Sequence, residues 1–405
     1  MADFSVSPLA LDEYARFMVD VYDDRQVIGV PTGFQAIFGR PENGSKTLYS
    51  PDSAVIDIDI IRGNERLAAL IPRGVNVRFL DKPDTIQERY STFSRVFPLI
   101  EDEGSIDSNQ LLFRKPGENP FSARTQLDRM RSHALELHQE HIRRIVRLFE
   151  YLAAQSVLTG LMPAIFGTTD ANKRYDFLRP GAHIIDVPVE WDNAASTPLV
   201  DVDTACGLIR SAGHATADMM VLGTLVMDAF ARHAEVTELA DNRRFSLIEV
   251  GRNPVPPKFQ RFVDAGMIPR GRLQTPAGNE LWLFTYLDVY TATNGTVTPY
   301  MPTDRALIAA STARCDRYFG PGERLPNVPA RDALYQQLFG FAPGLSPMPP
   351  LIKDSGNAVN PAMFYFDAYT SENWKRVTCR TQSAPIFATT QTDAFVTLYD
   401  MITGM

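Results

Sequence analysis

The stretch from Ser122 to Thr159 constrains the fold more than any other part of the sequence, because neither glycine nor proline interrupts it. Ser122 is a residue type that caps helix N-termini, and Gly160 stands where a glycine commonly stops a helix. Apolar residues recur along the stretch at three- and four-residue spacing, and a second apolar stripe joins them towards its C-terminal half. At about 1.5 Å per residue this helix is on the order of 55 Å long. We therefore predict a spine helix on which other elements pack.

The length and composition are those of a folded globular protein. The chain of 405 residues suffices for roughly two to three ordinary domains, or for one elaborate domain with insertions. A hydrophobic fraction of 44% and a charged fraction of 22% exclude a disordered chain. No apolar run approaches the roughly 18 to 20 residues of a membrane span, and the N-terminus lacks the pattern of a secretory signal. We expect no membrane partner and a protein that works where it is made.

Cysteine usage and net charge exclude further classes. Cys206, Cys315 and Cys379 lie far apart and form no CxxC motif, which predicts small buried hydrophobic side chains in a reducing compartment. The net charge of -8 argues against a protein that binds nucleic acid through bulk positive charge. A mildly acidic wall still suits a container for DNA, so charge alone does not separate a container from an acidic enzyme.

The N-terminal third of the chain predicts extended elements without a core of their own. We expect an arm over the first ~45 residues, with a short helix at Pro8–Tyr22, that lies on a neighbouring subunit. Val55–Ile61 alternates carboxylates with β-branched residues, which indicates a strand with one dry face. Further short strands are predicted at Val75–Leu80 and Gln110–Arg114. Because this region has few large apolar residues, we predict a long two-stranded arm that other subunits support.

The C-terminal half has an α/β pattern. We predict a helix at Asp201–Ser211, a buried strand at Met219–Gly223 and a helix that Thr224 caps and that runs to His233. A hairpin is expected where Leu281–Leu287 and Val297–Tyr300 flank the turn Asn294-Gly295. The remaining predictions are strands at Arg305–Ala309, Met363–Tyr369, Trp374–Thr381 and Phe395–Tyr399, and a long loop at Pro321–Pro350.

Candidate catalytic or metal-binding groups are sparse. His138 and His141 share one helix face, yet the zinc spacing HExxH is absent, so we favour a solvated His138 and a packed His141. Asp201 and Asp203 sit where a helix begins and complement its dipole. GxSxG, GxxxxGK[ST] and a GxGxxG after a strand are all missing. We expect no catalytic residue, no metal and no cofactor.

Two charged groups are instead candidates for contacts between subunits. Asp57 and Asp59 share one face of the predicted strand, and we interpret them as its wet face. Arg143, Arg144 and Arg147 fall along the spine helix. These arginines suit either phosphate or an acidic neighbour such as the Asp57 and Asp59 strand, and we favour the contact between subunits.

The aromatic residues of the C-terminal half follow the spacing of a strand. Trp282, Phe284, Tyr286 and Tyr290 alternate at period two, which favours packing within a sheet over a platform for stacking nucleic-acid bases. The sequence therefore offers many elements that are not stable alone and no convincing catalytic cluster. That balance indicates an assembly protein.

The order of these elements resembles a known family. Near the C-terminus, Gln382-Ser383-Ala384-Pro385-Ile386-Phe387 precede Asp393-Ala394-Phe395-Val396. A similar pair, a "QSAP" strand and a closing "D-x-F-V" strand, ends the chains of the major capsid protein E family of lambda-like tailed phages, which adopt the HK-97-type capsid fold of the α+β class. Further matches follow in order along the chain: Thr47-Leu48-Tyr49 before the Val55–Ile61 strand, Pro72-Arg73-Gly74, the run from Asp201 to His233, and the run from Tyr286 to Met301-Pro302-Thr303-Asp304.

The resemblance implies a division of the chain into segments. They would be an N-arm (1–45), an extended E-loop hairpin that reaches a neighbouring subunit (46–121), a peripheral domain with the spine helix (122–197), an axial domain (198–350) and a return to the peripheral domain (351–405). The chain is longer than expected for the family, and we place the extra residues in the Pro321–Pro350 loop and the E-loop.

The resemblance also implies a function and partners. The expected protein is the major capsid protein of a tailed bacteriophage, which self-assembles into pentamers and hexamers of an icosahedral head around double-stranded DNA, without enzymatic activity. Because the fold begins within a few tens of residues of Met1, we expect a separate scaffolding protein. A portal and non-specifically contacted DNA complete the expected partners, and the sequence leaves open whether a decoration protein also binds. The expected location is the virion, after assembly in the host cytoplasm.

Two alternatives stay open at the level of sequence. An encapsulin-like nanocompartment shares the fold and packages enzymes instead of DNA, and its neighbouring genes would identify it. A cytoplasmic hydrolase that uses an unrecognised carboxylate pair is the alternative from another class. A compact monomer with pH-dependent activity would indicate the hydrolase.

Overall fold

The computed structural model describes residues 30, 32–50, 53, 55–61, 90–107, 126–164, 174–241, 245–247, 255–292, 295–321, 364–370 and 376–402. Several predictions lie outside these residues. They are the helix at Pro8–Tyr22, the strands at Val75–Leu80 and Gln110–Arg114, and the Pro321–Pro350 loop beyond its first residue.

The described residues form helices and strands with the following bounds. The helices are α1 (Gln126–Thr159), α2 (Pro198–Gly213), α3 (Thr224–Arg232), α4 (Ala234–Asp241) and α5 (Pro257–Asp264). The strands of the first half are β1 (Thr47–Tyr49), β2 (Val55–Ile61), β3 (Tyr90–Val96), β4 (Ile100–Asp107), β5 (Leu161–Pro163), β6 (Arg174–Asp176) and β7 (Ile184–Asp186). The strands of the second half are β8 (Met219–Leu222), β9 (Phe245–Leu247), β10 (Ile268–Gln274), β11 (Glu280–Thr285), β12 (Val289–Thr291), β13 (Val297–Pro299), β14 (Ala306–Ala309), β15 (Asp316–Phe319), β16 (Tyr365–Thr370), β17 (Arg376–Ser383), β18 (Pro385–Ala388) and β19 (Phe395–Tyr399).

The predicted spine helix is α1, which is confirmed over 34 residues, while residues 122–125 lie outside the described part of the chain. Its C-terminal end is where the sequence places it. Gly160 adopts a φ of 72°, the left-handed conformation that glycine tolerates best. Two apolar stripes merge in the second half of the helix, so Ile142, Val146 and Phe149 are buried together. The helix packs against β4, β5, β17, β18 and β19.

A mixed sheet forms the centre of the molecule. Among the described residues its strands run in the order β7-β19-β14-β8-β11-β10-β9, and β8 pairs parallel with β11 and antiparallel with β14. All four residues of β8 and of β14 are buried. The predicted buried strand at Met219–Gly223 is therefore confirmed at its residues 219–222, and α2 packs against β14 and β19.

Two smaller sheets lie against the spine. The order in one is β16-β17-β4, and in the other β1-β15-β18, within the residues described. β17 and β18 are separated only by Ala384, so one chain segment joins both sheets. The predicted strands near residues 363–369, 374–381 and 395–399 correspond to β16, β17 and β19.

Two local predictions are wrong. The segment that contains Gly295 joins β12 to β13, whereas β11, five of whose six residues are buried, pairs with β10 and β8. Thr224 is the first residue of α3 and does not cap it. Gly223 occupies the N-cap position, where no side-chain hydrogen bond caps the helix.

The hairpin of β2 and β3 has the predicted two faces. Its register places Asp57 opposite Ser94 and Asp59 opposite Thr92. Ile58 is 1% exposed and packs on the same chain, while both aspartates are exposed. The Ile61 N–H donates to the Thr390 carbonyl oxygen at 2.8 Å and ties the hairpin to the body.

Candidate functional site

The exposed face of the β2–β3 hairpin carries a fixed pair of carboxylates. Asp57 accepts a hydrogen bond from the Ser94 hydroxyl at 2.5 Å, and Asp59 accepts one from the Thr92 hydroxyl at 2.7 Å. These cross-strand bonds hold both carboxylates in place on a surface that water reaches. On the same face, the paired residues Val55 and Val96 are 46% and 59% exposed. The face thus offers two ordered negative charges beside an apolar patch.

The three arginines of the spine helix form an exposed basic row. Arg143, Arg144 and Arg147 all point away from the buried side of α1. Arg144 pairs with Glu140 on its own helix and lies 3.4 Å from Asp102 of β4. Exposed pairs of this kind contribute little to folding stability. The row is therefore a surface feature and not part of the core.

The structure does not bring the two charged groups together within one chain. Within the part of the chain that the structure describes, no ion pair or hydrogen bond joins Asp57 or Asp59 to Arg143, Arg144 or Arg147. The exposed face of the hairpin and the basic row are each presented to solvent.

A groove runs beside the basic row and was not predicted from the sequence. Arg144, Arg147, Leu148 and Tyr151 of α1 line one side, residues 287–291 line the other, and its volume is about 630 Å³. Leu287 and Val289 are 46% and 50% exposed. The sequence contained a signal for this groove, since Leu287 and Val289 are apolar although they stand near a hairpin turn, where side chains are normally polar. The groove combines cations with uncovered apolar surface.

A second missed feature is the carboxylate of Glu150, which is fully buried in α1. It accepts backbone hydrogen bonds from Phe34 at 2.6 Å and Gln35 at 3.1 Å. Burial raises its pKa to about 7, against the opposing effect of these hydrogen bonds. The sequence contained a signal, because Glu150 follows Ile142 and Val146 at four-residue spacing on the buried stripe.

The end of the spine helix contacts a partly buried cation. Arg179 donates to the carbonyl oxygens of Val157 and Leu158, both at 2.8 Å, and to the Thr397 hydroxyl at 2.9 Å. Burial lowers its pKa to about 10. The guanidinium satisfies the carbonyl groups that a helix end leaves without partners, and its charge complements the helix dipole. This role is structural.

The residues considered as metal ligands or catalytic groups form hydrogen bonds to other elements of the fold. His141 is buried, as predicted, and its Nδ1 atom lies 3.1 Å from the Thr381 hydroxyl, while the side chain of His138 lies outside the described part. Asp201 accepts a hydrogen bond from the Trp191 indole, and Asp203 accepts one from the Asn279 amide. These bonds to other elements go beyond the helix-dipole role that the sequence predicts.

The cysteines and aromatic residues of the described ranges are packed in the interior. All three cysteines are buried and free, as predicted. Trp282, Phe284 and Tyr286 are buried and Tyr290 is partly buried, which confirms the prediction of packing. No group of three or more His, Cys, Asp or Glu residues is arranged for a metal among the residues described. No helix among them is long and apolar enough to cross a membrane.

Comparisons with known proteins identify a family and a fold. A family model described as phage major capsid protein E matches residues 44–328. A solved structure described as the capsid protein of a prophage from Escherichia coli CFT073 aligns with a TM-score of 0.56 at 15% identity, over 95% of this chain and 98% of that one. The capsid of Ralstonia phage GP4 aligns at 0.43 and 11% identity over 92% of both chains. A phage-related protein of Bordetella bronchiseptica RB50 aligns at 0.41 and 11% identity, over 93% and 99%. Comparison with curated protein sequences finds no match.

Proposed function

Because the chain belongs to the phage major capsid protein E family, we propose that it forms the pentamers and hexamers of an icosahedral head around double-stranded DNA. Membership makes it a shell protein of a virion that assembles with copies of itself. The observation that carries the proposal is the match of the family model over residues 44–328. It agrees with the HK-97-type fold, with the long spine helix and with a hairpin that presents an exposed face in the described part of the chain.

We assign each part of the capsid subunit to a segment of the chain. Residues 1–45 act as the N-arm, 46–121 as the E-loop, 122–197 and 351–405 as the peripheral domain, and 198–350 as the axial domain. Two observations support this division. The described part of the β2–β3 hairpin is joined to the body at both of its ends, through the Ile61 N–H, which donates to the Thr390 carbonyl oxygen, and through the Tyr175 hydroxyl, which donates to the Val96 carbonyl oxygen at 2.5 Å. The central sheet draws five of its strands from residues 219–309, in the proposed axial segment.

The proposed contact between subunits joins the acidic face of the hairpin to the basic row. Asp57 and Asp59 of one copy would face Arg143, Arg144 and Arg147 of another. Opposite charges support this pairing, since each group is exposed and the hydroxyls of Ser94 and Thr92 already orient the carboxylates. Such pairs contribute more to specificity and association rate than to raw affinity.

The remaining partners follow from the proposed role. A scaffolding protein guides closure of the shell, a portal occupies one vertex, a decoration protein binds the outside, and DNA touches the inside without sequence preference. Assembly takes place in the host cytoplasm. The net charge of -8 suits such a container, because a weakly acidic wall does not trap phosphates.

Electron microscopy tests the proposal. The full chain is expressed alone and together with the neighbouring candidate scaffold gene, and the purified material is imaged in negative stain. Closed shells, or rings of five and six subunits, are the expected result. DNase-protected DNA in virions then distinguishes a phage head from an enzyme-filled compartment. A uniform monomer or dimer under both conditions, without rings or sheets, would overturn the proposal.

A further inference from the structure

Glu150 holds a segment of chain that is distant in sequence. Its side chain is 0% exposed, and its two oxygens accept the backbone N–H groups of Phe34 and Gln35 at 2.6 and 3.1 Å. These N–H groups stand at the start of a short 3-10 helix, Gln35–Ile37, whose own cap residue supplies no side-chain hydrogen bond. The Glu150 carboxylate, which belongs to α1, therefore takes the place of the missing local cap. The Gln35 amide adds a bond to the Val146 carbonyl oxygen at 3.2 Å.

A tyrosine that follows β11 closes the site from a third direction. The Tyr286 hydroxyl is hydrogen-bonded to Glu150 and accepts the Gly33 N–H at 3.3 Å. The ring of Phe34 packs edge-on against Tyr286, with 5.5 Å between the ring centroids. A Cβ on Gly33 would lie 2.8 Å from the Tyr286 ring, which shows how closely the segment fits. Spine helix, β11 and N-terminal segment thus meet at one carboxylate.

No cation of the described residues neutralises this carboxylate. Among the described residues, the Glu150 oxygens have no ion-pair partner, since their contacts are backbone N–H groups and uncharged side chains. The titratable groups that face the site are Arg147 on the same helix, which is exposed, and Tyr286, Asp288 and Tyr300 from the opposite elements. Burial raises the pKa of each of the last three, so the two phenols stay neutral.

We propose that Glu150 is a proton-operated latch for the segment Thr32–Phe38, which docks more tightly when the carboxyl group is protonated and is released more readily when it is ionised. Release exposes the carboxyl group to water, where its pKa falls to about 4.3. In the docked state burial raises the pKa of Glu150 to about 7. Between these two values the docked state holds more protons, so docking weakens as pH rises through this window. Above about pH 7 both states are ionised and the dependence ends.

The release is local, because other contacts hold the chain that follows. Arg40 donates to the Ser311 carbonyl oxygen at 2.8 Å, and the Lys46 N–H donates to Asp316 at 2.6 Å. β1 then pairs with β15. The latch therefore governs the residues up to Phe38, at the point where the N-terminal arm reaches the body.

Hydrogen exchange of the full-length protein between pH 5.5 and pH 8 tests the latch. Opening of a peptide that covers residues 32–38 is compared with a peptide from the buried end of α1, residues 153–158, after division by the intrinsic exchange rates. In the wild type the relative opening should rise on the order of 10-fold over this range. Glu150→Gln is a neutral mimic of the protonated group and should abolish the rise. Glu150→Ala removes both acceptors and should open the segment at every pH.

The matched control is Glu136→Gln, which changes an exposed carboxylate on the same helix and should leave the wild-type rise intact. An equal rise in wild type and Glu150→Gln would overturn the proposal. The proposal would also be overturned if, in the wild type, the opening of residues 32–38 relative to the reference peptide did not change between pH 5.5 and pH 8. This wild-type measurement tests the proposal even if Glu150→Gln fails to fold. The measurement works on unassembled subunits, so a failure to form shells is seen separately from a failure of the latch.

Discussion

An Nη1 nitrogen of Arg179 lies 2.8 Å from the carbonyl oxygen of Leu158, at the buried C-terminal end of the spine helix. The guanidinium belongs to the loop after β6 and yet completes the hydrogen bonding of α1. A helix end inside a protein needs such partners, because its last carbonyl groups have no N–H group of the same helix to accept from.

Loss of this cap should destabilise the subunit. We expect Arg179→Met to lower the free energy of unfolding by roughly 2 to 4 kcal/mol, since it removes the hydrogen bonds to the buried Val157 and Leu158 carbonyl oxygens, of which that of Leu158 keeps the Thr397 hydroxyl as a donor. Denaturant unfolding of the unassembled subunit measures the change. Arg143→Met, which changes an exposed arginine on the same helix, should stay within about 0.5 kcal/mol of the wild type. Equal effects of the two substitutions would contradict the capping role.

Gly223 should not accept a side chain. A Cβ at this position would lie 2.3 Å from the Pro302 carbonyl oxygen and 2.6 Å from that of Thr303, and backbone atoms in a packed loop cannot move aside cheaply. Gly223→Ala is therefore expected to reduce the free energy of unfolding by at least about 2 kcal/mol. Thermal unfolding by circular dichroism would detect it.

The matched control for Gly223 is a glycine in α2 with free space around it. Nothing lies within 4 Å of a Cβ built on Gly207, so Gly207→Ala should stabilise the subunit by about 0.5 to 1 kcal/mol through the higher helix propensity of alanine. A similar loss from both substitutions would show that contact with Pro302 is not the cause.

Charge reversal tests the proposed contact between subunits. Asp57→Lys with Asp59→Lys should slow shell formation and reverse its dependence on salt, because like charges then face each other and salt screens their repulsion. Adding Arg143→Glu and Arg147→Glu to the same chain should restore part of the assembly rate, as followed by light scattering. Glu238→Lys, on an exposed part of α4, serves as the control. Failure of the combined variant to recover any assembly, with folded subunits, would argue against this pairing.

His141 should make the contact between the spine and the β16-β17-β4 sheet sensitive to acid. Burial lowers the pKa of His141, with a smaller opposing effect from Asp102. Because the folded state disfavours the protonated ring, the unfolded chain holds more protons below about pH 6.5, and stability falls as pH drops. The sign is opposite to that for Glu150.

Comparison of melting temperatures at pH 7.5 and pH 5 measures this acid sensitivity. His141→Asn keeps a polar group near Thr381 but does not titrate, so it should reduce the acid-induced drop in melting temperature by about 2 to 5 °C. His183, whose pKa burial also lowers, accounts for part of the drop and remains in the variant. An unchanged drop in His141→Asn would show that the buried ring of His141 contributes nothing to it.

The sequence alone predicted the elements that carry a strong local pattern. The spine helix ends at Thr159 as its spacing and Gly160 indicate, and Val55–Ile61 is a strand with the predicted wet and dry faces. The exposed positions of Asp57 and Asp59 followed from the same periodicity. The resemblance also led to the family before the fold was known, because its short motifs occur in the family's order along the chain.

The tertiary structure decided which elements are neighbours. Periodicity records which face of an element is buried but carries no information on what covers that face. For this reason the pairing of β11 with β8 and β10 was not predicted, and a hairpin with Val297–Tyr300 was expected instead. Glu150 shows the same limit, since its hydrogen bond to Phe34 spans 116 positions. The sequence placed a carboxylate among core residues, and only the folded chain supplied the backbone N–H groups and the burial that raise its pKa.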